Sequence, residues 1–266
     1  MKPAKKTTIN KEDFKLKTTS FLPKKEYLHI YNKHIICVTD SKGHPQPDNK
    51  DSLELRVNSS NGFIPLWEEG VTLNWRFSKS FGSYFMKPEA AKAGVRKLLG
   101  EAIIAWQDAC PLKFHEDEDA WDFEIAMHQK DCNDSGCVLA SAFFPGSGRN
   151  TFHIYPTMFE QDYQEQIETL EHEIGHVFGL RHFFANIKEK DSPSELFGTD
   201  NAFSIMNYGD KSKLTADDIK DLKALYELAW SGKLTTINGT EIRQFKSYHM
   251  NSGQKIVNSV FQLLNV

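Results

Sequence analysis

The chain has 266 residues, 39% of them hydrophobic and 26% charged, with a formal net charge of −4. That composition argues for a packed core and against disorder, and it excludes the global basic field of a nucleic-acid binder. No apolar run approaches the ~18 residues of a membrane span. The Lys-rich start, Met1 to Lys17, has no apolar stretch behind it and does not read as a secretory signal. The protein is therefore expected to stay inside the cell or to leave by a route without such a signal.

Residues 1–64 carry two β-like stretches, Tyr27 to Val38 and Leu53 to Val57, with Leu53, Leu55 and Val57 alternating with polar residues. Ser41 to Asp48 between them is a loop by its Gly and Pro content. Val71, Leu73, Trp75 and Phe77 alternate as a half-buried strand should. A helix starts at Pro88, with Ala91, Val95, Leu98, Leu99, Ala102 and Trp106 on one face, and Pro111 marks its end. Phe123, Ile125 and Met127 alternate again, and Cys137 to Phe144 and Thr151 to Tyr155 read as further extended segments. A second helix runs from Asp162 to Gly179 with Ile167, Leu170, Ile174 and Phe178 as its apolar stripe. A third begins at Thr215, an N-cap with Asp217 and Asp218 in the first turn. Beyond Ser231, short strands and a final helix near Ile256 to Leu264 are expected.

There are four cysteines, Cys37, Cys110, Cys132 and Cys137. A turn-forming stretch separates the last two, so a local disulfide is expected if the protein is exported, and two reduced thiols otherwise.

The segment His172-Glu-Ile-Gly-His-Val-Phe-Gly-Leu-Arg-His182 carries the chemistry. Helical residues i and i+4 are about 40° apart, so His172 and His176 leave one face together and reach one Zn²⁺. Ile174 and Phe178 lie on the opposite face and bury it. Glu173, turned about 100° from His172, sits beside the metal without ligating it, where a general base for an attacking water belongs. Gly179 tolerates positive φ and lets the chain turn sharply to return His182 as third ligand. Three protein ligands leave a fourth position open, the mark of a catalytic rather than structural zinc.

This pattern resembles the extended zinc motif of the metzincin metalloproteases. Ser204-Ile-Met-Asn-Tyr-Gly209 is similar to their Met-turn, with Met206, 24 residues after His182, beneath the histidines. Within the metzincins the resemblance is to the matrixins, the matrix-metalloproteinase-like group. Pro65-Leu-Trp67 with Val71 to Trp75, Pro111-Leu-Lys-Phe114, Val138 to Gly146 and Leu214 to Tyr226 carry it over about residues 65 to 229.

The resemblance implies an α+β fold. It has a twisted, mostly parallel sheet, an active-site helix and a backing helix, with zinc in a cleft between upper and lower subdomains. The expected divisions are an N-terminal extension or prosegment at 1–64, the catalytic domain at 65–230 and a C-terminal extension at 231–266. The activity implied is zinc-dependent peptide hydrolysis by a monomer. The substrate is a protein or peptide held in extended form, added along Thr151 to Tyr155 or the strand before it. Phe203 to Tyr208 would line the adjoining pocket. The resemblance implies a secreted or extracellular protein, with a cytoplasmic one as the alternative.

Matrixins usually carry His where this chain has Ser141, as a ligand of a second, structural zinc. His128, Asp131 and His153 stand near the other ligand positions, so that zinc is one ligand short. Phe183 replaces the usual Ser after the third ligand, and the link to Met206 is longer than usual. Tyr208 follows Met206 at a spacing similar to astacins and serralysins, where the tyrosine reaches the metal or the developing oxyanion; a pocket-wall role is the alternative. Calcium is compatible with the chain, but Glu116, Asp117 and Glu118 read more simply as a solvated turn.

Metzincins are often latent, with a Cys or Asp of the prosegment on the open zinc position. Cys37 is one candidate here, since a thiolate ligates zinc well, and Asp40 and Asp48 are others. The alternative is an ordinary N-terminal subdomain packed on the catalytic domain. Self-cleavage near Gly62 to Pro65 would favour the prosegment. Two other functions compete with a general protease: a zinc-retaining binding module without activity, and a toxin or effector protease with one host target.

Overall fold

The computed structural model describes residues 9–17, 37, 39, 55–59, 62–128, 132–133, 136–182, 194–198, 203–207 and 212–250. Its elements in chain order begin with β1 (Leu55–Asn58), β2 (Phe63–Trp67), β3 (Thr72–Phe77), α1 (Pro88–Ala105), β4 (Lys113–Glu116) and β5 (Phe123–Met127). Next come β6 (Cys132–Asn133), β7 (Gly136–Cys137), β8 (Ala140–Ser141), β9 (Asn150–Ile154), α2 (Tyr163–Val177), β10 (Leu180–Arg181) and β11 (Ser194–Phe197). Then follow α3 (Ala216–Trp230), β12 (Thr236–Ile237) and β13 (Thr240–Phe245).

The main sheet has the order β4-β3-β5-β9-β8. Its first four strands run parallel, and β8 pairs antiparallel with β9 at the far edge. This is the mostly parallel sheet expected. Two readings change. β3 keeps the expected alternation at Leu73, Trp75 and Phe77, but its other face is not simply solvated, because Asn74 there is buried while Thr72 and Arg76 stay partly exposed. Similarly, β9 lies between β5 and β8, so it offers no edge to a substrate; the strand before it, β8, is the outer one.

α1 starts with Pro at its first turn and buries Ala91, Gly94, Val95, Leu98, Leu99 and Ala102. It ends at Ala105, earlier than Pro111 suggested, and Gln107 turns with φ 53°. Trp106 caps the helix and is fully buried, its indole N–H donating to Glu171 O of α2 at 3.2 Å. α2 opens with a reciprocal capping box between Asp162 and Glu165. α3 opens with the same device between Thr215 and Asp218.

Described segments on either side of the expected catalytic domain are knitted to this body. Phe14 is buried against Phe159, ring centroids 4.6 Å apart, in a space that a side chain on Gly94 would fill. Lys17 N donates to Tyr84 O and Met86 N to Lys15 O. β13, within the expected C-terminal extension, pairs in parallel with β2 from Phe63 to Trp67. In the stretch suggested for self-cleavage, Gly62 is exposed and Phe63 partly so, while Ile64 and Pro65 are buried in β2. The helix expected near Ile256 to Leu264 and most of Tyr27 to Val38 lie outside the described residues.

The cysteine expectation is met in part. Cys137 is disulfide-bonded, and Cys132 is its register partner in the β6–β7 ladder. Neither Cys37 nor Cys110 is in a disulfide. Glu116 departs from the solvated-turn reading. It ends β4 and takes a two-pronged ion pair from Arg96, Nε to Oε2 and Nη2 to Oε1 both at 2.7 Å. Among the described residues no helix is long and apolar enough to cross a membrane.

Candidate metal centre

α2 buries Ile167, Leu170, Ile174 and, at its C-cap, Phe178, which turns His172 and His176 to the other side. The helix ends where Gly179 adopts φ +94°, and β10 returns His182 to the same point. Three anchors hold this end. Trp67 Nε1 donates to Val177 O at 2.7 Å, Tyr226 OH to Phe178 O at 3.0 Å, and a Cβ on Gly179 would meet Pro65 O at 3.1 Å.

The three imidazoles meet through Nε2. His172 to His182 is 2.9 Å, His172 to His176 3.1 Å and His176 to His182 3.2 Å. His172 Nδ1 donates to Ile205 O at 2.7 Å and His176 Nδ1 to Leu180 O at 2.8 Å. A carbonyl accepts only, so both Nδ1 atoms carry the proton and both Nε2 atoms present lone pairs. Lone pairs converging in a fully buried place repel unless a cation sits among them. Tetrahedral ligands at 2.0–2.1 Å stand roughly 3.3 Å apart, close to the spacing found. The donor set therefore fits zinc, and the carbonyls supply the outer hydrogen bonds that such ligands need.

Met206 is fully buried against Gly175 of α2. Its sulfur occupies the space a side chain on Gly175 would need, so Gly175 lets the Met-turn approach the helix. The turn is tied down by Asp218. That carboxylate accepts from Ser204 Oγ, from Ile205 N at 3.3 Å and from Thr215 N at 2.9 Å. Burial raises the Asp218 carboxyl above its ordinary range, with the hydrogen bonds acting the other way. On α2 itself, burial pushes the Glu171 carboxyl up to about 7, with Glu168 adding to the rise.

A fourth metal-ligating side chain reaches the centre from outside the helix. Cys37 Sγ lies 3.4 Å from His176 Nε2, and the ligand atoms of Cys37, His172, His176 and His182 all fall within 4.8 Å of one another. The thiol donates to Glu173 Oε1 at 3.4 Å. Thr39 Oγ1 donates to Glu173 Oε2 at 2.9 Å and accepts from Ala142 N, next to β8, at 2.8 Å. Cys37, Thr39 and Glu173 are all buried.

The structure thus gathers His172, Glu173, His176, Gly179, His182, Met206 and, of the latency candidates, Cys37. Asp40, Asp48, Phe183 and Tyr208 lie outside the described residues. Sequence reasoning missed Thr39 and Gly175. The Gly between Ile174 and His176 was a signal for the latter; nothing local signalled Thr39. At the second-zinc position Ser141 is buried and faces His153 in register, and the rings of His128 and His153 are 5.6 Å apart. Asp131 lies outside the described residues. Burial raises the Tyr155 hydroxyl, which hydrogen-bonds to Ser141.

Stromelysin-3 from Homo sapiens is 28% identical over 199 residues, covering 69% of this chain and 37% of that protein. Metalloendoproteinase 4-MMP from Arabidopsis thaliana is 26% identical over 177 residues, 61% of this chain and 48% of that one. The chain thus spans less than half the length of these relatives. Among solved structures, myroilysin aligns with TM-score 0.43 at 14% identity, over 64% of this chain and 98% of its own. High choriolytic enzyme 1, a hatching enzyme zinc-protease from Oryzias latipes, aligns with TM-score 0.38 at 14% identity, over 61% and 94%. Residues 66–227 match the family model of the matrixins, more than half the chain and all three histidines included, and the protein belongs to that family.

Proposed function

We propose that this chain is a zinc-dependent endopeptidase in a latent form, acting once released as a monomer on protein substrates. His172, His176 and His182 hold the zinc. Bound there, zinc polarises a peptide carbonyl and lowers the pKa of water toward ~7. Glu173 takes the proton of the attacking water and passes it to the leaving amine. An extended substrate adds to the sheet along β8, and Phe203 to Met206 lines the pocket beside the scissile bond. Tyr208 contributes to the wall of that pocket or to the developing oxyanion. The matrixin relatives favour a secreted protein.

The observation that carries the latent reading is Cys37 Sγ at 3.4 Å from both His176 Nε2 and Glu173 Oε1. From there one thiol closes the open coordination position and engages the base. The part of residues 1–64 that carries Cys37 therefore acts as a prosegment, with the Cys37 thiol as its blocking group. A binding module has no use for a carboxylate guarded in this way.

The test compares the full chain, Cys37→Ser and Cys37→Ser/Glu173→Ala on casein, with and without chelator. The first is expected to be nearly silent, the second active and chelator-sensitive, and the third zinc-loaded but silent. Equal activity of the first two would remove the latency, and undiminished cleavage by the third would remove the mechanism. A proteome-wide cleavage-site profile of Cys37→Ser then separates a broad protease from one with a single target.

A further inference from the structure

The third zinc ligand follows a strand of two residues, Leu180 and Arg181. A strand that short has little to hold it on its own. Here it pairs antiparallel with β1, Arg56 opposite Arg181 and Val57 opposite Leu180. β1 is the central strand of its sheet, since β11 pairs along its other side from Leu55 to Asn58. Val57 and Leu180 are both fully buried.

β1 precedes the stretch that matches the matrixins, residues 66–227. β11 lies in the long link between His182 and Met206. The strand before the family match and the strand after the third ligand thus form one sheet with β10, in the order β10-β1-β11.

We infer that β1 is a brace for His182, a positioning strand that belongs to the zinc-holding body and not to the removable blocking segment. Val57 packs the brace, and the ladder at Arg56 and Val57 sets the direction in which His182 leaves β10. It follows that any cut that frees Cys37 and Thr39 while leaving the enzyme intact falls after Thr39 and before Leu55. A cut between β1 and β2 would take the brace away with the block.

This inference rests on the reading of His172, His176 and His182 as zinc ligands, so its test reads metal retention and not hydrolysis. In the full chain carrying Cys37→Ser, zinc is loaded and the rate at which a chelator strips it is measured. Amide hydrogen exchange is followed at Leu180 to His182 in parallel. Val57→Asp is expected to speed stripping roughly tenfold and deprotect those amides, as loss of a ligand's supporting contacts does. Ile237→Asp, equally buried but in β12, serves as the control for general destabilisation and is expected to leave stripping within about twofold. Should Val57→Asp fail to fold, Val57→Ala keeps the test, with about threefold faster stripping expected. Stripping unchanged by Val57→Ala, or sped equally by Ile237→Asp, overturns the brace. Failure of the parent to bind zinc at all overturns the ligand reading instead.

Discussion

Thr39 Oγ1 donates to Glu173 Oε2 at 2.9 Å and accepts from Ala142 N at 2.8 Å, so one hydroxyl joins the base to the backbone beside the outer strand. Cys37 occupies the other carboxylate oxygen. Blocking thus has two points, and each should weaken separately.

Thr39→Val keeps the shape of the side chain and removes the hydroxyl. A hydrogen bond to a charged group contributes about 1.5–3 kcal/mol, which corresponds to roughly 10–100-fold in the open fraction. The full-length variant is expected to show faster alkylation of Cys37 and a matching rise in basal cleavage. Labelling at the wild-type rate would show that Thr39 does not hold the block.

Glu173→Gln, placed in Cys37→Ser, should retain zinc by metal analysis. Its peptide cleavage is expected to fall about 10²–10⁴-fold, the range for loss of a general base. A drop of less than tenfold would assign the proton transfer to another group.

Gly175→Ala forces a methyl group into the space of the Met206 sulfur. Overpacking of this kind costs about 1–3 kcal/mol, and the midpoint of thermal unfolding should fall accordingly. Adding Met206→Ala should recover part of that loss, because it vacates the same space. No recovery would mean that the turn does not bear on Gly175.

Asp218→Asn keeps the size of the side chain but puts an amide donor where every partner at the carboxylate donates. Ser204 Oγ, Ile205 N, Thr215 N and Thr215 Oγ1 all give hydrogens to it. At least one partner is left unmatched, at about 1–3 kcal/mol. Because Ile205 O takes the His172 Nδ1 proton, zinc retention should weaken together with thermal stability. A stable variant with unaltered zinc retention would uncouple the turn from the metal.

Chelation removes the cation from a place where the Nε2 atoms of His172, His176 and His182 meet within 3.2 Å. Zinc at 1,000 times its Kd stabilises by about 4 kcal/mol, so an excess of chelator should lower the unfolding midpoint by several degrees. Readdition of zinc should restore it. An unfolding curve indifferent to chelator would be inconsistent with the metal centre.

The metal helix was legible in the sequence because all its determinants are local. His172 and His176 share a face by helical period, Asp162 and Glu165 cap its start, and Gly179 supplies the positive φ at its exit. β5 was legible for the same reason, its alternation surviving in the buried Phe123, Ile125 and Met127. What only the tertiary structure decided depends on contacts between distant residues, which leave no periodic trace. The burial of Asn74 on the second face of β3, β8 rather than β9 as the outer strand, and Thr39 on Glu173 are of this kind. So is the placement of Cys37, 136 residues from the carboxylate it meets. Nothing local in the sequence around Cys37 showed that folding would bring its thiol within 3.4 Å of His176 Nε2.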